Sequence, residues 1–164
     1  MIDEVKVRIG TPSDVHPFMD LVMACTRENA LIHPDPEKIL GEVWAALNRD
    51  HGIVGIIGEE DGAPLEAGIL LRVSEMWYSK DSVVDERGLF VRPDFRSAKG
   101  GRASRLCEFA KNVQRTLEMP LVIGVLSTSR ADAKVRLYER QFGPASGGYW
   151  IVGAKTGAQQ EAAE

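Results

Sequence analysis

Apolar residues recur along this chain in two rhythms, every second residue and every third or fourth, and the switches between them lay out the elements. Residues 5–9, Val-Lys-Val-Arg-Ile, alternate apolar and charged, which predicts a half-buried strand. Gly10-Thr11-Pro12-Ser13-Asp14 reads as a turn in which Thr11 or Ser13 caps a helix with the stripe Val15, Phe18, Met19, Leu21, Val22 and Cys25. His33-Pro34-Asp35-Pro36 breaks the chain, and Ile39, Leu40, Val43, Trp44 and Leu47 predict a second amphipathic helix. Strands over 52–57 and 67–73 flank Glu60-Asp61-Gly62, a hairpin turn. Another strand ends at Leu89-Phe90-Val91. Beyond a cationic, glycine-bearing turn, Leu106, Phe109, Ala110, Val113 and Leu117 mark a third helix that Pro120 ends. The unbroken apolar run 121–126 has the look of a strand buried on both faces. Ser127-Thr128-Ser129 can cap a fourth helix carrying Ala131, Val135, Leu137, Tyr138 and Phe142, and Gly147-Gly148-Tyr149-Trp150-Ile151-Val152 closes as a strand. Strand, two helices, antiparallel meander, then strand–helix–strand–helix–strand predicts one α/β domain over residues 1–154, with no internal repeat.

Composition narrows the picture. At 164 residues and 44% hydrophobic content the chain suits a single domain with a real core. A net charge of −4 argues against a nucleic-acid surface. Cys25 and Cys107 fall on predicted helix faces and read as buried free thiols. His16, His33 and His51 are scattered without metal-ligand spacing, so no metal is expected. Neither a signal peptide nor a membrane-spanning run is legible, which points to a cytoplasmic protein without membrane contact. Residues 155–164 are polar and Ala/Gln-rich and read as a frayed tail.

The candidate chemistry starts at the turn after Val91. Pro93-Asp94-Phe95-Arg96 leads to Lys99-Gly100-Gly101-Arg102-Ala103, where the third helix begins. Backbone N–H groups and the positive end of a helix dipole then converge on one spot, which is how backbone holds phosphate. The glycines permit φ > 0 and close approach, and Arg96, Lys99 and Arg102 add positive charge. The plainer alternative is a strand–helix turn with solvated basic residues.

These residues resemble the GCN5-related N-acetyltransferase (GNAT) superfamily over almost the whole chain. Val91, Pro93 and Arg96 match its V-x-P-x-x-R strand end, and Leu137-Tyr138 matches its Leu-Tyr pair. The segment Ala133-Lys134-Val135-Arg136-Leu137-Tyr138-Glu139-Arg140-Gln141-Phe142-Gly143 is most similar to small acetyltransferase-like proteins of phages and bacteria. Counted back from Glu108-Phe109-Ala110, Gly101 and Ala103 take the two small-residue positions of the family's pyrophosphate turn, which then carries two extra residues; the family's Asn before the later helix is absent. The resemblance implies a mixed, mostly antiparallel sheet splayed at its middle strands, with helices on both faces. It also implies acetyl-CoA as acyl donor, held by Arg96, Lys99, Gly100, Gly101, Arg102 and Ala103. Backbone N–H groups around Phe90 and Val91 would polarise the thioester, and Tyr138 would act as general acid. Asp85 or Glu86 is the candidate base, and side-chain alternation allows at most one of them to face the site. By simple parity Asp85 goes with Arg87, Leu89 and Val91, and Glu86 with Gly88 and Phe90. Trp44, Trp77 and Tyr78 are either packing residues or walls of an acceptor pocket. The implied reaction is direct attack by a primary amine, of a small molecule or a peptide, in a ternary complex. The alternative is a catalytically weak GNAT-fold module working through protein contacts. An edge strand over 149–152 can pair with a partner, as in a homodimer.

Overall fold

The hydrophobic rhythms settle into a three-layer sandwich in the computed structural model, which describes residues 4–60, 64–96 and 100–154. The elements are β1 (Arg8–Ile9), α1 (Val15–Asn29), α2 (Pro36–Leu47), β2 (Gly52–Ile57), β3 (Ala67–Glu75), β4 (Ser82–Val91), α3 (Arg102–Leu117), β5 (Leu121–Val122) and α4 (Ala131–Phe142), with short 3-10 turns at Pro12–Asp14 and Pro93–Phe95. The sheet runs β1-β2-β3-β4-β5, antiparallel throughout except for the parallel β4–β5 pair. The predicted α/β class, mixed sheet and two helical faces are all present.

Each face has its own core. On one, Phe18, Leu21 and Val22 of α1 and Val43 and Leu47 of α2 pack on Val54, Ile56 and Leu70. On the other, Leu106 and Ala110 of α3 cover Ile69, Leu71 and Val84. Cross-strand partners share a face, so the alternation along β2 and β3 delivers these side chains to two opposite layers. Burying each large side chain contributes about 1.5–3 kcal/mol. Leu106 and Cys107 are both buried, as the helix-anchored reading of the turn requires.

Several local details differ from the sequence reading. Only Arg8–Ile9 of the first strand pairs; Val5 and Val7 pack on the α3 face. Thr11 precedes the 3-10 turn rather than capping α1. Asp14 stands at the N-cap of α1 without capping it; its buried carboxylate accepts the Thr11 N–H at 2.9 Å and both arms of the Arg8 guanidinium at 2.8 Å. Asp35 caps α2 through the Glu37 and Lys38 N–H groups, with Pro36 at the first position. Ser127, Thr128 and Ser129 do not cap α4. They turn to the end of α1, where Asn29 Oδ1 accepts both serine hydroxyls and the Thr128 N–H reaches the Asn29 carbonyl. Of the apolar run 121–126 only Leu121–Val122 pairs with β4. The expected strand over 147–152 does not form, and the segment joins no sheet among the described residues. Asp61, Gly62 and the tail 155–164 lie outside the described residues.

Candidate active site

The shortness of β5 creates the site. Beyond Val122 the chain leaves β4, and the Gly124 N–H turns to a side chain, Glu86 Oε2 at 3.5 Å, in place of a backbone partner. At the far end the Asn29–Ser127–Ser129 cluster ties the diverging segment to α1. Between these closures lies a cleft of about 560 Å3, lined by β4, the 122–126 segment, the end of α1 and the first turns of α3 and α4.

Both strand carboxylates, Asp85 and Glu86, line the cleft, and a β-bulge decides which face of β4 each takes. Leu70 faces Gly88 and Leu71 faces Glu86, so Arg87 is the extra residue. Side-chain parity therefore flips at Arg87 and corrects the sequence reading. Glu86 shares its face with Leu89 and Val91, whereas Asp85, opposite Arg72, shares that of Phe90. The Asp85 carboxylate is spent on Arg87 at 3.0 Å, and Arg87 and Arg72 also approach Glu42 of α2, at 3.5 and 3.6 Å. Burial lifts the Glu86 carboxyl to about 7; neighbouring Asp85 adds to the rise, and the Gly124 N–H and Lys134 oppose it.

Tyr138 projects from α4 into the same cleft, its ring edge-on to Phe142 at 5.6 Å. Burial, with the nearby charge of Glu86, pushes its phenol well above the ordinary tyrosine value. Glu86 and Tyr138 both line the cleft, and the buried Cys107 of α3 lies near enough to add to the rise of the phenol. Burial also raises both thiols, Cys107 to about 12, so neither is an activated nucleophile.

At the mouth, Gly100 and Gly101 adopt positive φ, +111° and +57°. A side chain at Gly100 would also collide with Val5, 2.7 Å from the position of a Cβ. This double left-handed turn swings the chain into α3. The first intrahelical bond is Arg105 N–H to Gly101 C=O at 2.9 Å, and no side chain among the described residues caps the turn. The first-turn residues Arg102, Ala103 and Ser104 line the cleft, and their N–H groups are those a helix leaves for an anion. Lys99 lies outside the described residues. The cations are less available than the sequence suggests. Arg96 holds Glu28 of α1 through two contacts of 2.6 and 2.7 Å, and its Nε donates to the Val91 carbonyl at 2.9 Å. Arg102 donates to Glu66 at 2.6 Å and lies over the Phe95 ring.

The backbone of β4 is also sorted. The Arg92 N–H bonds to Glu66, so by antiparallel alternation Phe90 turns its N–H to Gly68 and Val91 turns its own toward the cleft. The Phe90 ring packs edge-on against Phe18, on the core of the α1 face. Trp44, Trp77 and Tyr78 do not line the cleft. Sequence reasoning missed Cys25, Asn29, Arg130 and Lys134, which do. The spacing 130, 134, 138 was a usable signal, since residues four apart share a helix face. Burial and the charge of Arg96 lower the Lys134 pKa.

Solved structures share this architecture. An integron cassette protein from the mobile metagenome of Cole Harbour salt marsh superposes with a TM-score of 0.67 at 20% identity, covering 92% of this chain and 90% of that one. AAC(6')-Iy, in complex with the bisubstrate analogue CoA-S-monomethyl-acetylneamine, gives 0.67 at 15% identity over 94% and 100%. Ribosomal-protein-alanine N-acetyltransferase from Brucella melitensis biovar Abortus 2308 gives 0.62 at 16% identity over 90% and 99%. The fold is that of the GCN5-related N-acetyltransferases. No family model matches the chain, and no curated protein matches it in sequence. Within the GNAT fold, the cleft described above is the gap between the splayed middle strands. No described helix is long and apolar enough to cross a membrane.

Proposed function

We propose that the chain transfers the acetyl group of acetyl-CoA to a primary amine. The observation that carries this reading is one cleft lined by both Glu86 and Tyr138 and by a helix N-terminus that no side chain among the described residues caps. The α3 first turn would hold the donor's diphosphate, and the Val91 N–H, turned into the cleft, would hydrogen-bond the thioester carbonyl as charge develops on its oxygen. Glu86 would accept a proton from the acceptor ammonium; a carboxyl at about 7 is matched to that task near neutral pH. The freed amine attacks the thioester carbon, the C–S bond breaks, and the thiolate leaves beside the Tyr138 hydroxyl. Burial keeps Tyr138 protonated, so it can donate a hydrogen bond and then the proton to sulfur, and the second proton lost by the acylated nitrogen restores the phenol. Donation becomes easier once Glu86 is neutral, because its charge is one of the causes holding the phenol up.

A second reading, a GNAT-fold module that works through protein contacts, is favoured by one observation: Arg96 and Arg102 are already neutralised by Glu28 and Glu66. Calorimetric titration with acetyl-CoA, with free CoA and ATP as controls, separates the two. Micromolar binding of both CoA species but not ATP, followed by amine-dependent thiol release, supports the enzyme. Failure to bind any of them sinks it.

A further inference from the structure

Among the described residues Lys134 is the one lysine that lines the cleft; Lys6, Lys38 and Lys80 are exposed elsewhere, and Lys111 is held by Glu108 at 3.0 Å. Lys134 stands one turn before Tyr138 on α4. Helical side chains four residues apart share a face, with Cβ atoms about 5–6 Å apart, and the later one leans back over the earlier. The Lys134 charge also acts on the Cys25 thiol, whose Sγ donates to the Val91 carbonyl at 3.7 Å. Lys134 therefore neighbours both groups assigned to the thioester, Tyr138 and Val91. Little holds its amine. Its hydrogen bond is to Ser127 Oγ at 3.4 Å, and no carboxylate among the described residues stands within ion-pair distance, Glu28 being taken up by Arg96 at 2.6 and 2.7 Å. A half-buried ammonium without a counter-charge is costly. Burial and the charge of Arg96 lower its pKa, against the pull of Glu86 and Glu28, so more of the amine is free base near neutral pH.

We propose that Lys134 is a self-modification site, at which the chain transfers one acetyl group from acetyl-CoA to its own Nζ. This rests on the acetyltransferase reading above and adds an acceptor amine that the protein itself carries into the cleft. The Lys134 ammonium gives a proton to Glu86, and the freed Nζ attacks the thioester carbon. The C–S bond breaks, the leaving sulfur takes the Tyr138 proton, and the second proton lost by the nitrogen restores the phenol. The products are an amide at Nζ and free CoA, and no further reactant is needed. An amide does not pass its acyl group on as a thioester does, so the event happens once per chain and is no intermediate in transfer to another amine. It replaces a half-buried cation with a neutral group, which removes the cost of burying the charge. It also removes the like charge that Arg96 opposes.

The test incubates the full chain with saturating acetyl-CoA in an amine-free buffer and reads its intact mass. The mass should rise by one acetyl group as one thiol is released per chain, and fragmentation should place that group on Lys134. The rate should not depend on protein concentration, because the lysine is modified within its own cleft. Lys134→Arg should stay unmodified while circular dichroism shows it folded and calorimetry shows acetyl-CoA still bound. Tyr138→Phe should slow the modification about a hundredfold, within the range for a lost general acid. A chain that binds acetyl-CoA yet gains no mass overturns the proposal and leaves the acetyltransferase reading standing. A chain that does not bind acetyl-CoA sinks both. Acetyl groups spread over Lys6, Lys38 and Lys80, at a rate that Tyr138→Phe does not change, are chemical acetylation of exposed amines and also overturn it.

Discussion

At the scale of single residues, the Glu86 carboxyl ties stability and activity to the same pH window. In the unfolded chain it titrates near 4.5, and in the fold near 7. Between those values the folded protein keeps a proton that the unfolded chain has lost. The stabilisation is therefore complete below pH 4.5 and disappears as pH rises to about 7. Denaturant unfolding of Glu86→Gln should show a flatter profile across that window and higher stability than wild type at pH 8. If Glu86 is the base, kcat/KM of the wild type should rise through about pH 7. That limb should be lost in Glu86→Gln and kept in Asp85→Asn, whose carboxylate serves Arg87. Tyr138→Phe should lower kcat by about a hundredfold, within the range for a lost general acid, with acetyl-CoA affinity unchanged by calorimetry. Equal loss of both would make Tyr138 a packing residue.

At the scale of elements, the site depends on how the end of α1 meets the β4–α3 turn. Glu28 and Arg96 are a long-range pair, 68 residues apart in the chain, with Arg96 half-buried and Glu28 exposed. Glu28 competes for the guanidinium that a phosphate would use. Two substitutions should therefore move acetyl-CoA affinity in opposite directions. Arg96→Ala should weaken binding by about 1.5–3 kcal/mol, the range for a charge-assisted hydrogen bond, whereas Glu28→Gln should tighten it. If both weaken binding, the ion pair is a scaffold for the turn and the phosphate contacts are made by backbone alone. The turn itself was legible because Gly100-Gly101 is a local signal for positive φ, and the structure uses both glycines that way.

For the whole molecule, one buried charge holds the N-terminal strand to the first helix. Asp14 is 1% exposed, and the Arg8 guanidinium beside it holds its carboxyl below the ordinary aspartate value. Arg8 also donates to the Gly58 carbonyl at 2.7 Å, which binds β1 to the end of β2. Arg8→Met leaves a buried carboxylate unpaired and should cost about 3–5 kcal/mol in chemical denaturation. Because the Asp14 pKa is lowered, its contribution is present above the unfolded value of 3.8 and fades as pH falls through the folded one. Acid unfolding should therefore begin below about pH 4 in the wild type, and this component should be absent in Arg8→Met.

The closing strand expected over 147–152 is not formed, whereas the order of elements from β1 to α4, the two helical layers and the glycine turn at the helix start were all legible along the chain. Those features are written in short windows, where period and backbone preference decide which face is buried and where φ turns positive. Tyr138 and the β4 carboxylates were also within reach, since each sits in a recognisable strand or helix. Only the tertiary structure showed which face of β4 Asp85 and Glu86 each take, because the bulge at Arg87 is a mismatch in count between two strands, and one strand read alone keeps simple parity. Only it showed that Arg96 and Arg102 are already paired, and that Cys25, Asn29 and Lys134 share the cleft. The run 121–126 reads as one strand by hydrophobicity, yet pairing stops at Val122, where a carboxylate from β4 replaces the backbone acceptor of Gly124. Strand length, side-chain parity past a bulge and the pairing of distant charges depend on what lies across the gap, and no local pattern records that.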